Sequence, residues 1–291
     1  SEVSPTKNPG THAREGGFSK PLLRALGKYS LGAITADLVA RYRDDRLAEG
    51  KSNNTVRLEL ALLSHLYTIA IREWHLGLVY NPVAAMRKPA AGQGRTRRLS
   101  LAEEQLLVSA CAAHSNPLLV WMVRLALYTG MRAGEIQSLR CGQVDLSRRV
   151  IRLDMTKNGS ARTVSLTRNA VEVIQAALAH SVRPKETDLI FWGDPGRDGK
   201  IRPYQFRPAW RQVLQRAGLE GFHFHDLRHE AISRFIEAGL GDQDVAAVRF
   251  AVLDLGDADP PEEAEGAEPA ARLEQVVEAE RLPGPQLHLA L

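Results

Sequence analysis

Between Asn81 and Arg98 the chain reads NPVAAMRKPAAGQGRTRR, and this stretch constrains the fold more than any other. Proline removes backbone donors and glycine removes conformational restraint, so neither a helix nor a strand is expected to run through it. Helical patterning lies on both sides. A chain of 291 residues interrupted in this way is expected to form two folding units. The stretch reads as the link between them, and its basic side chains suit contact with phosphate. The predicted organisation is a disordered polar segment over 1–20, a helical domain over 21–90, a basic linker over 91–98, a second domain over 99–250 and an acidic tail over 251–291.

On the N-terminal side, ITADLVARYRDDRLAEG offers Thr35 as an N-cap and places Leu38, Tyr42 and Leu47 near one face. SNNTVRLELALLSHLYTIAIREW opens on capping residues and carries Val56, Leu60, Leu63, Tyr67, Ile71 and Trp74 as an apolar stripe, read as core and not as a surface for stacking bases. Beyond the linker, Ser100 and Glu103 have the spacing of a capping box. PLLVWMVRLALYTG is apolar on every side, so it is expected to be buried and to end at Gly130. RRVIRLDMTKNGSARTVSL alternates on both sides of an Asn158-Gly159 turn, as a β-hairpin does. Helical patterns follow over 167–180 and 203–217, and a last helix is expected from Asp226, with that residue as N-cap. The fold class is therefore mainly α with a small β-hairpin, an α+β arrangement.

Charge narrows the partners. The tail from Ala251 to Leu291 holds ten acidic and two basic residues, a net of −8, and the rest holds 36 basic and 24 acidic, a net of +12. A body so basic points to a polyanion such as DNA or RNA, with a plain solvated basic surface as the alternative. No apolar run approaches the ~20 residues of a membrane span, so no membrane partner is expected. The polar N-terminus has no leader-like apolar segment, and Cys111 and Cys141 form no framework. Both suit the cytoplasm, and with a nucleic-acid partner, association with the nucleoid. Because the chain opens on Ser1, its start is expected to be trimmed or incomplete.

Three segments carry the chemistry: ALYTGMRAGEIQSLR, TKNGSARTVSL and HFHDLRHEAISRF. In this order, behind a helical domain, they resemble the tyrosine recombinases, also called the phage integrase family. NTVRLELALLS, NPV and the third segment bring the chain nearest to the shufflon-type site-specific recombinases. The resemblance runs from about Leu26 to Val248. It implies a helical, SAM-like core-binding domain and an integrase-like catalytic domain that close round double-stranded DNA. The reaction implied is strand cleavage and rejoining through a 3′-phosphotyrosine, without metal or cofactor. Residue by residue, Arg132 and Arg228 match the family's two arginines. His225 matches the histidine that assists proton transfer, Lys157 the general acid, and Glu135 an acidic residue that orients the first arginine. The chemistry agrees, because guanidinium forks bind two phosphate oxygens at once and stay charged. The competing readings leave Arg132 on a plain surface and pair Arg228 with Glu230 or Glu237. His223, His225 and His229 raise zinc, but no fourth ligand accompanies them.

The resemblance is expected to stop near Arg249. No Gly-His pair follows, and the last tyrosine is Tyr204, upstream of His225. No nucleophile is therefore assigned, and strand cleavage is expected to be lost. The tail reads either as the product of a reading-frame shift or as an evolved acidic segment, and either would weaken self-association on DNA. The N-terminal domain is expected to be one helix short. Two rivals remain: a non-catalytic DNA-binding remnant or regulator, and a ribonuclease-like use of Lys157, His225 and the arginines.

Overall fold

The computed structural model describes residues 9–154 and 161–239. The chain divides between Gly94 and Arg95 into two units. The first is helical. Helix α1 (Pro9–Leu26) leads through a 3-10 turn at Leu31–Ala33 to α2 (Ala36–Ala48) and α3 (Asn53–Arg72). Thr35 caps α2 by accepting the Leu38 N–H at 3.3 Å, and Ser52 caps α3 through Thr55 at 3.2 Å. Val39 and Tyr42 of α2 meet Val56, Leu60, Leu63 and Tyr67 of α3 in one core, joined by Leu22 and Leu26 of α1. The buried Glu59 is held on three sides. It accepts from Tyr42 Oη at 2.7 Å and from Arg46 Nε and Nη2 at 3.0 and 2.6 Å.

Three sequence expectations change here. Residues 9–20, expected to be disordered, belong to α1, so a helix does precede LGKYSLGAIT. Pro9 stands first in that helix, where its missing N–H costs nothing. Leu22 and Leu26 anchor its far end against α3, while residues 10–14 are exposed and carry no apolar stripe to read. Trp74 is not core, because α3 ends at Arg72 and leaves that ring 37% exposed.

The second unit packs round α5 (Leu118–Thr129). That helix is buried except along Trp121, Arg124 and Tyr128, which are half-buried, and it touches α4 (Leu101–Ala112), α6 (Ala133–Gln137), α7 (Arg168–Ala179) and α9 (Phe224–Glu237). Ser100 and Glu103 close the capping box on α4. An antiparallel sheet runs in the order β1 (Val144–Asp145), β2 (Val150–Leu153) and β3 (Arg162–Ser165). Its register pairs Ile151 with Val164 and Leu153 with Arg162. The hairpin was legible in the sequence, and its turn at 155–160 lies outside the described residues. A second hairpin, β4 (Trp192–Pro195) with β5 (Ile201–Pro203), was not. It also explains why α8 (Arg207–Ala217) starts later than 203.

Candidate functional site

Arg132 is placed by the way α5 ends. Gly130 adopts the left-handed conformation, with φ 60°, and donates to Ala126 O at 2.9 Å. Glycine takes this conformation without the steric cost of a Cβ. Met131 follows, 1% exposed, and anchors the turn in the core. Arg132 then stands as the extended N-cap of α6. Its backbone N–H donates to Glu135 Oε2 at 2.8 Å and its Nη1 to Oε1 at 3.0 Å. One carboxylate thus caps the helix and fixes the guanidinium.

Arg162 reaches the same carboxylate from β3, with Nη2 donating to Glu135 Oε2 at 2.7 Å. Burial alone would raise the Glu135 carboxyl. The Arg132 N–H and the guanidinia of Arg162 and Arg132 outweigh it and hold the group below the usual carboxylate range. Sequence reasoning missed Arg162. The signal was present: counting in twos from Val164 and Leu166 puts a charged residue on the hairpin's buried face.

Helix α9 supplies the rest. It begins at Phe224, with His223 as N-cap, two residues earlier than the expected start at Asp226. Asp226 occupies the third position and accepts the His223 N–H at 2.7 Å, so it caps from inside the helix. His225, Arg228 and His229 lie at i, i+3 and i+4, on one face. Arg228 is 1% exposed, and its Nη1 donates to Gly130 O, two residues before Arg132. Burial first, then the like charges of Arg132 and Arg162, push its pKa down to about 10. His225 is exposed, and its ring stands edge-on to that of His229 with centroids 4.9 Å apart. Partial burial, then His229 and Arg228, lower its pKa. The structure therefore brings Arg132, Glu135, His225 and Arg228 to one place and adds Arg162. Lys157 lies outside the described residues.

The remaining charges of HDLRHE serve the fold. Asp226 takes a bidentate pair from Arg95, both contacts at 2.7 Å. Glu230 accepts the Leu99 N–H at 2.9 Å, Arg98 Nε at 2.8 Å and Arg234 Nε at 2.8 Å. Glu237 also takes Arg98 Nη1, at 2.6 Å. These contacts correct two expectations. Glu230 and Glu237 pair with Arg98, and Glu230 also with Arg234, not with Arg228. Residues 95–98, read as a phosphate-facing linker, are strapped onto α9 and α4 by carboxylates, with Arg97 held by Glu103.

The profile described as the phage integrase family matches residues 97–249, and a shufflon-specific DNA recombinase from Escherichia coli is 43% identical over 75% of the chain. The chain belongs to the phage integrase family. It spans 55% of the length of that E. coli recombinase. Among solved structures, it is similar to a Tn1549 transposon integrase in complex with circular intermediate DNA. That match has a TM-score of 0.68 and 15% identity, covering 85% of this chain and 87% of the other. It is also similar to a lambda integrase dimer bound to a COC′ core site, with a TM-score of 0.66 and 21% identity over 88% and 93% of the two chains. These two likenesses establish the integrase-like α+β fold.

Chemically, the arrangement suits a tetrahedral oxyanion. Among the described residues, three guanidinia gather round one carboxylate. The tyrosines of the described second unit, Tyr128 and Tyr204, have hydroxyls whose pKa values are raised chiefly by burial.

Proposed function

We propose that this member of the family binds double-stranded DNA and grips one backbone phosphate with Arg132 and Arg228, with His225 beside it. The observation that carries this reading is the Gly130 turn, whose carbonyl takes the Arg228 guanidinium while the chain two residues on presents Arg132. Two forks set from different elements match the two non-bridging oxygens of a phosphodiester. Their surplus positive charge stabilises the charge that builds up as such a centre is attacked. The lambda and Tn1549 integrases, solved with DNA, support the choice of partner. The lambda dimer supports self-association on DNA, which the altered C-terminal sequence weakens.

The site is built for cleavage and rejoining, but the chain as written does not cleave. No tyrosine follows Tyr204 in the 291 residues, and the family match ends at 249. His225, with its lowered pKa, is neutral near pH 7 and accepts or relays a proton at the phosphate. The experiment is a nicked duplex that traps 3′-phosphoprotein adducts. A complex that forms at low salt and falls apart in detergent is expected. A covalent adduct would overturn the loss of cleavage, and absence of any complex would overturn the DNA-binding reading itself.

A further inference from the structure

Arg162 has a place in this site that the phosphate grip does not require. It opens β3 opposite Leu153, on the hairpin face that buries Ile151, Leu153 and Val164. Its side chain is 9% exposed. Nη2 is engaged by Glu135, while Nε and Nη1 are buried with no hydrogen-bond partner among the described residues. Unsatisfied buried donors are costly, and an apolar side chain would hold the hairpin without them. What the guanidinium adds is a hold on Glu135. Glu135 Oε2 accepts from Arg162 Nη2 and from the Arg132 N–H, while Oε1 accepts from Arg132 Nη1. The carboxylate is thereby locked between β3 and the first turn of α6. Arg132 engages it through Nη1, which leaves Nε and Nη2 for a ligand.

We infer that Arg162 is a positioning residue for phosphate binding: it clamps Glu135, and Glu135 sets the Arg132 fork. The inference deepens the phosphate-binding reading above and rests on it. Arg162 also acts on the site through its charge. It is one of the neighbours that lower the Arg228 pKa and hold the Glu135 carboxyl down. The charged groups facing Glu135 are Arg132 from its own turn, Arg162 from β3 and Arg228 from α9.

The test uses the full chain, with orthovanadate as the probe. Arg162→Met removes the fork and the charge at similar length, and Arg162→Lys keeps the charge without the fork. Arg162→Met is expected to bind vanadate about tenfold more weakly, the scale of a lost charge-assisted hydrogen bond. Its low-salt affinity for duplex should change little, because many other basic residues contribute to that. Arg162→Lys is expected to fall between Arg162→Met and the parent chain. A second readout is the Glu135 carboxyl, followed by carbon NMR. Its pKa should rise in Arg162→Met, because burial then acts against fewer favourable charges. Vanadate affinity and Glu135 titration both unchanged, with only the melting temperature lowered, would overturn the proposal. If Arg162→Met does not fold, Arg162→Lys decides the matter by the same two readouts. A parent chain that binds neither vanadate nor duplex overturns the phosphate-binding reading instead, while the Glu135 titration still judges the clamp.

Discussion

Arg228 shows how one side chain joins fold and function. Its guanidinium is 1% exposed and donates to Gly130 O. Arg228→Ala leaves that carbonyl unsatisfied and is expected to cost about 1–3 kcal/mol of stability as well as phosphate affinity. A urea titration beside a vanadate titration separates the two effects. Arg132 is 17% exposed, so Arg132→Ala should lose affinity with a smaller loss of stability. His225 gives a pH prediction. Its folded pKa lies below the ordinary 6.5, so its contribution to stability is present above that value and is lost as pH falls through the folded pKa. Proton NMR of the ring should show titration below 6.5 in the free chain and a rise when vanadate binds, since an anion offsets the arginines. A titration unmoved by vanadate would place His225 away from the anion. Arg132, Glu135, His225 and Arg228 were legible in the sequence because each sits within a short motif. Arg162 was not, because its partner Glu135 lies 27 residues away and only the hairpin's fold-back brings the two together.

At the scale of elements, α9 is held at both ends by ion pairs from the segment before α4. Glu230 is 2% exposed at its side chain and serves Arg98, Arg234 and the Leu99 N–H. Glu230→Ala removes the acceptor of the Leu99 N–H and one partner each of Arg98 and Arg234, which keep Glu237 and Glu104, and a loss of about 1–3 kcal/mol is expected from chemical denaturation. A loss below about 1 kcal/mol would mean that water replaces the carboxylate there. On α4, hydrogen bonds from Arg97 and Ser100 hold Glu103 down to about 2, from 4.5. A depressed acid contributes stability above its unfolded pKa and loses that contribution as pH falls toward the folded value. Glu103→Gln should therefore flatten the stability profile between pH 4.5 and 2, by a small amount because Arg97 is 36% exposed. Helices α2 to α4 could be read from their caps and α5 from its apolar run ending at Gly130, since packing and local signals agree there. The β4–β5 hairpin could not, because both short strands end in proline, which reads as a break. The start of α1 was equally hidden, since its first residues are exposed and mark no buried face.

For the whole molecule, the division of charge dominates. Residues 1–250 carry a net +12, a charge that suits the proposed polyanion partner, and the tail carries a net −8. The two-unit organisation was visible from the proline and glycine of the 81–98 stretch, though its last arginines pair with carboxylates of the second unit. What charge cannot show is which arginines meet phosphate and which meet carboxylate. That depends on contacts between segments far apart in sequence, such as Arg95 with Asp226.

The most direct measurement is the salt dependence of duplex binding, taken from ~50 to ~200 mM for the parent chain and for Arg132→Ala with Arg228→Lys. Affinity should fall steeply with salt in the parent chain. In the double variant the slope of log affinity against log salt should shrink, by about one for a charged phosphate contact that is lost. Arg228→Lys keeps its charge, so the main change in slope belongs to Arg132, and the loss of the second fork appears as weaker binding at every salt concentration. Parent and variant with the same slope and the same affinity would contradict a phosphate grip by Arg132 and Arg228.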